Sequence, residues 1–173
     1  SPHLEWYDEQ METVPAEARI WTDATLPVAD GTTEEVLDRI ESRVGELMDA
    51  GKWVVMLGGE HSVTSGAVRA AAEIHPRLSV LQIDAHADTR ESYGGTDHSH
   101  ACVMARVREL CPIVQVGIRS VDAAEVPRLD PARVFWAHAI AGEARIDAPA
   151  SKLQAASPVA RSSPRISPLA DAT

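Results

Sequence analysis

Residues 84 to 88 read Asp-Ala-His-Ala-Asp and follow directly on the apolar run Leu78-Ser79-Val80-Leu81-Gln82-Ile83. In an extended strand alternate side chains point the same way, which places Asp84, His86 and Asp88 on one face, two carboxylates flanking an imidazole. Like charges this close repel, and a desolvated carboxylate is costly unless something positive compensates it. A divalent cation is the simplest compensation. The bland alternative, a solvated strand end or a helix-capping acid, suits one aspartate better than three donors at strict two-residue spacing. Carboxylates with some imidazole and no thiolate suit Mn2+ ahead of Mg2+ or Zn2+. A carboxylate can also bridge a pair of ions about 3.5–4 Å apart.

A further candidate ligand is His61, which follows the apolar run Trp53-Val54-Val55-Met56-Leu57 through Gly58-Gly59-Glu60. In open α/β sheets functional groups collect at the carboxyl ends of strands. His61 and the Asp84 cluster both fall at such ends, on two consecutive strands of the pattern. The glycine pair allows close backbone approach and positive φ. Alone, His61 reads as a turn histidine; beside Asp-x-His-x-Asp, the ligand reading is the stronger one.

The elements that must carry these residues are legible from periodicity. The spacing predicts a helix over 33–50, with Thr32 and Glu35 forming a capping box, Val36, Leu37, Ile40, Val44, Leu47 and Met48 at helical intervals, and Gly51 closing it. Trp53 to Leu57 reads as a buried parallel strand. An alanine-rich helix over 63–74 stops at Pro76, and 79–83 is the second buried strand. A polar, glycine-containing loop from Thr89 to Asp97 leads to a helix over 99–110, a strand at 113–116, a short helix near 121–126 and a fourth strand at 134–136. Strands alternating with helices predict an α/β fold with a mainly parallel sheet. Residues 1–32 lack a clear period and read as an irregular N-terminal segment. Residues 141–173 are rich in Ala, Ser and Pro and read as a disordered or non-native tail. An α/β domain that dissolves after four strands suggests a truncation or a shifted reading frame near residues 140 to 150.

Composition narrows the function classes. The 173 residues suffice for one domain with a real core, and 45% hydrophobic content excludes wholesale disorder. A net charge of −10 argues against a nucleic-acid partner and is compatible with a cationic one. No apolar run reaches membrane-spanning length and no signal-peptide pattern opens the chain, so no membrane partner is expected. Cys102 and Cys111 do not suggest a disulfide framework, and a reducing, cytoplasmic setting is the default.

Two segments resemble the ureohydrolases, the arginase and agmatinase family. Leu57 to Ala70, LGGEHSVTSGAVRA, is similar to the first signature of that family, and Val80 to Asp88, VLQIDAHAD, to the second. Ser99-His100-Ala101-Cys102-Val103-Met104 and Val116-Gly117-Ile118-Arg119 resemble the agmatinase branch; the Asn-Leu-His-Gly type loop of the arginase branch is absent. The resemblance covers residues from about 34 to 140. It implies an arginase-like three-layer α/β/α fold, incomplete in this chain, with two Mn2+ ions in the complete enzyme. The implied reaction is hydrolysis of a small cationic guanidino substrate to urea, agmatine to putrescine in the first instance. On that basis His61 would bind one ion and His86 the other, Asp84 would bridge them, and Asp88 would join the first, as ligand and catalytic carboxylate together. The proton-shuttling histidine falls best on His100, with His98 as the nearby alternative. Homo-oligomers are usual in the family and are expected of the complete enzyme.

That chemistry is physically coherent. A guanidinium carbon is a poor electrophile, so hydrolysis needs a strong nucleophile at neutral pH, and a divalent cation lowers the pKa of water it holds by many units. The leaving amine must be protonated, which suits a histidine near its natural pKa. What is missing matters equally. The family's third signature, an Asp-x-Asp after a later strand, has no counterpart: Asp147 and Asp171 stand alone. The chain is therefore expected to be inactive by itself. A non-catalytic metal-binding or interaction protein on a degraded ureohydrolase scaffold is the alternative, and other ureohydrolases (guanidinobutyrase, arginase, formiminoglutamase) are the alternatives in substrate. For His75, His138, Cys102, Arg119 and the four tryptophans, structural roles are the expectation; Tyr93 and Gly94-Gly95 fit a flexible loop at a cleft mouth.

Overall fold

The computed structural model describes residues 7–14 and 20–141. The tail expected from 141 onward therefore lies outside the described residues from position 142. The chain divides into two units, Ser1–Asp30 and Gly31–Thr173. Within the first, the described residues form no helix or strand. An exchange of backbone hydrogen bonds between Asp8 and Thr13 closes a turn, whose Asp8 Oδ1 accepts from the N–H groups of Gln10 and Met11.

The second unit opens with α1, Thr33–Asp49, and its start is the predicted one. Thr32 Oγ1 accepts from Glu35 N while the Glu35 carboxylate accepts from Thr32 N, satisfying two amides that the helix leaves open. Leu37, Ile40 and Val44 are buried along one stripe. That stripe packs on α2, Thr64–Ile74, and the close approach depends on Gly66: a Cβ there would lie 2.6 Å from the Leu37 carbonyl oxygen. Then follow β1, Val80–Ile83; α3, Val103–Leu110; β2, Ile113–Ile118; β3, Val134–Trp136; and a one-turn α4, Ala137–Ile140. The short helix expected near 121–126 is a 3-10 turn at Val126–Arg128. Both cysteines are free and buried. No helix among the described residues is long and apolar enough to cross a membrane.

The three strands form a parallel sheet in the order β1-β2-β3, Val80 aligned with Ile113 and Ile83 with Val116. Val68 of α2, Val103, Met104 and Val107 of α3, and Cys111 make a core against Leu78, Val80 and Ile113, so helices cover that face of the sheet. On the opposite face of β1, Leu81 and Ile83 are exposed, Ile83 at 78%.

Trp53 to Leu57 differs from the expectation of a buried strand. The segment has no β partner among the described residues, and Trp53 is 98% and Leu57 92% exposed. A strand exists only as a pairing, because its amide and carbonyl groups need a neighbour's. Apolar composition alone cannot supply one.

Candidate metal centre

His61, Asp84 and Asp88 converge. Each offers a ligand atom within 4.8 Å of the other two. His61 opens a 3-10 turn, His61–Val63, capped by Glu60, whose carboxylate accepts from the Ser62 backbone N–H at 2.8 Å and from the Ser62 hydroxyl. This cap fixes the point at which the chain turns and so where the imidazole sits. Neither Gly58 nor Gly59 adopts positive φ, contrary to expectation. The strained position is instead Asp88, at φ +53°, a region that aspartate and asparagine tolerate better than most residues.

That left-handed residue ends the loop after β1. Asp84 Oδ1 accepts from His86 N at 2.8 Å, closing an Asx turn, so the chain bends where a straight strand was expected. The loop is tied to the end of β2: Arg119 N and Ser120 N both donate to the Ala85 carbonyl at 2.9 Å. Gly117 permits this, with φ +88° and its Asp84-facing side so close that a Cβ would meet Asp84 O at 3.2 Å. The Asp88 carbonyl accepts from Met104 N and Ala105 N, two open amides at the start of α3. Its carboxylate, nearly buried, lies 3.1 Å from His61 Nδ1 and accepts from Gln82 Nε2 at 3.2 Å. Next to it, Thr89 donates from both N and Oγ1 to the buried Glu125, which also accepts from Asp122 N.

The bend decides which predicted residues meet. Asp84 and Asp88 face His61; the His86 side chain is 63% exposed, with Nδ1 3.5 Å from Asp84 Oδ1, and it stands outside the three-residue cluster. His100 follows Ser99, whose hydroxyl caps a 3-10 turn at His100–Cys102. Its Nδ1 is 3.9 Å from Glu60 Oε1, and its ring meets Tyr93 edge-on at 5.5 Å between centroids. His98 is turned elsewhere, with Nε2 3.5 Å from Glu34 of α1. Tyr93-Gly94-Gly95-Thr96 is a tight turn closed by reciprocal backbone hydrogen bonds, and Arg90 lies over the Tyr93 ring at 5.0 Å. His138 stacks on Trp136, in keeping with a packing role.

The electrostatics follow from this crowding. The Asp88 carboxylate bonded to Nδ1 holds the His61 imidazole above the ordinary histidine value; burial pulls it down, and the charges of Asp88, Asp84 and Glu60 add to the rise. For Asp84, burial alone would push the carboxyl up. The backbone N–H of His86, the His61 charge, the Gln82 amide and the Ala85 N–H outweigh it, and the net direction is down.

The residues fit a divalent ion. Three atoms no more than 4.8 Å apart share a centre within about 2.8 Å of each, and sub-ångström side-chain shifts reach the roughly 2.0–2.2 Å of nitrogen and carboxylate ligands. Two carboxylates against one imidazole leave an excess negative charge for a dication to neutralise. Sequence reasoning missed Glu60, Gln82, Gln115 and Glu125. Only the two glutamines carried a signal, as polar residues inside otherwise apolar strands.

Comparison with known proteins agrees with this arrangement. The family model described as the arginase family matches residues 1–160. The chain is 38% identical over 154 residues to N(1)-aminopropylagmatine ureohydrolase of Synechocystis sp., covering 82% of this chain and 49% of that protein. It is 36% identical over 120 residues to agmatinase of Bacillus anthracis, covering 68% and 41%. Among solved structures, the agmatine ureohydrolase of Thermoplasma volcanium superposes with a TM-score of 0.66 at 36% identity, covering 78% of this chain and 46% of that one. The chain spans about half the length of the curated relatives it matches.

Proposed function

Because the chain belongs to the arginase family and has an arginase-like α/β fold, we propose that it carries the first part of the metal centre of a manganese-dependent guanidino hydrolase. The substrate class is a small cationic guanidine of the agmatine type, cleaved to urea and an amine, putrescine in the case of agmatine. The observation that supports this best is the convergence of His61, Asp84 and Asp88 from two separate segments.

In this reading the three residues hold Mn2+, which supplies Lewis acidity and makes water a competent nucleophile at neutral pH. His61 must give up its Nδ1 proton to serve as a ligand. Asp84 and Asp88 set a negative field that favours a cationic guanidinium over neutral urea. His100, 3.9 Å from Glu60 and next to the turn that bears His61, is the residue to deliver a proton to the departing amine. His86 is the reserve ligand for a second ion and must rotate inward to serve. A reducing, cytoplasmic setting suits two unpaired cysteines, and homo-oligomerisation belongs to the complete enzyme.

The 173 residues contain no Asp-x-Asp pair, so this chain alone has one carboxylate-imidazole half of a centre. It is expected to bind about one Mn2+ and to release no urea. The test incubates the purified chain with Mn2+ and a panel of agmatine, N(1)-aminopropylagmatine, arginine and guanidinobutyrate. Urea release refutes the inactivity, and failure to bind Mn2+ refutes the metal centre. The missing pair also favours a second reading, a non-catalytic metal-binding or interaction protein on a degraded scaffold. Downstream coding DNA that encodes a strand followed by Asp-x-Asp in any frame excludes it.

A further inference from the structure

Two glutamines interrupt the apolar strands at aligned positions, Gln82 on β1 and Gln115 on β2, and both are buried. Buried amides persist where their hydrogen bonds are met, and these two are met in one direction only. Gln115 Nε2 donates to the Ala87 carbonyl at 2.8 Å and to Gln82 Oε1 at 2.6 Å. A carbonyl can only accept, so the Gln115 amide has one orientation. Its second N–H then claims Gln82 Oε1, which leaves Gln82 Nε2 facing the His86 carbonyl and Asp88 Oδ2, each at 3.2 Å. Flipping either amide would set oxygen against oxygen and N–H against N–H.

We propose that Gln82 and Gln115, acting in series, are positioning residues that set the Asp88 carboxylate for a metal ion. The proposal rests on reading His61, Asp84 and Asp88 as ligands. Asp88 needs such restraint: its backbone sits at φ +53°, outside the ordinary regions, and its side chain would otherwise be free to rotate within a bent loop. The relay holds the loop at Ala87 O, His86 O and Asp88 Oδ2 together, so one side chain on β2 orients a ligand it does not touch.

The test titrates the full chain with Mn2+ by calorimetry, unsubstituted and as Gln82→Met, Gln115→Met and the double variant. Methionine keeps the length of glutamine and most of its volume while removing the amide. Gln115→Met is expected to weaken Mn2+ binding about tenfold or more, in the range seen when partners of metal ligands are removed. Gln82→Met does at least as much, and the double variant adds little, because two links of one chain share their coupling. Unchanged affinity in Gln115→Met, or losses that simply add, overturns the relay and leaves the metal centre standing. If the unsubstituted protein takes up no Mn2+, the metal centre is what fails. The relay is then decided in the ion-free protein by the Asp88 Cγ resonance: displacement by Gln115→Met supports it, and an unmoved resonance overturns it. Should the methionine variants unfold, the side-chain NH2 protons of Gln82 and Gln115 in the unsubstituted chain decide. Slowed exchange with water supports the relay, and free exchange of both overturns it.

Discussion

Asp88→Asn separates charge from shape at the cluster. Asparagine tolerates left-handed backbone, so the φ of +53° at this position costs it little. Its side-chain oxygen can still accept from Gln82 Nε2, so the buried amide keeps a partner. What is lost is one of two negative charges. At about 2.8 Å from the common centre, a unit charge attracts a dication by about 3 kcal/mol even with the full screening of bulk water. Asp88 is almost buried, so that figure is a floor, corresponding to a Kd for Mn2+ weakened on the order of a hundredfold. The assay is calorimetric titration of the full chain with Mn2+, with thermal unfolding of the ion-free protein as control. Asp88→Ala is the contrast. It loses the same charge but also forces a left-handed alanine, about 1–2 kcal/mol, and strands the Gln82 amide, so it is expected to lower stability as well. Asp88→Asn that binds Mn2+ like the unsubstituted chain, with unfolding unchanged, refutes the electrostatic reasoning.

Mn2+ affinity is expected to rise with pH through the elevated His61 pKa, because the ion competes with the Nδ1 proton; proton release, read from calorimetry in buffers of different ionisation enthalpy, checks it. In the ion-free chain the sign is opposite: the folded-state pKa of His61 lies above its ordinary 6.5, so the His61–Asp88 pair stabilises fully below that value and the contribution fades as pH rises through the folded one. His86→Ala is expected to leave the affinity for a first Mn2+ within about threefold, given an exposed ring outside the cluster, whereas His61→Ala removes a ligand and costs on the order of a hundredfold. Gly117→Ala is expected to destabilise by about 1–2 kcal/mol in urea unfolding, since φ is +88° and the new Cβ presses on Asp84 O. Trp53, Val55, Leu57 and Ile83 leave apolar surface open, so the chain is expected to bind a hydrophobic dye when folded and to be marginally soluble; lysine at Trp53 and Leu57 together should reduce both.

Sequence by itself determined the local part of this protein. Helix α1 could be placed from its capping box and its apolar stripe, because both depend on residues three and four apart. The donor types at the ends of two apolar runs, His61 and Asp84 to Asp88, pointed to a divalent cation before any contact was known. Tertiary structure decided what depends on a neighbour. Trp53 to Leu57 has the composition of a strand and lacks a partner to pair with among the described residues. The two-residue alternation that grouped His86 with the aspartates holds for straight backbone, and the Asx turn at Asp84 and the left-handed Asp88 bend it away. Gln82 and Gln115 are 33 residues apart, and Thr89 and Glu125 are 36 apart. Their hydrogen bonds exist only because the parallel register and the Gly117 bulge bring those backbones together, and no pattern along the chain encodes that meeting.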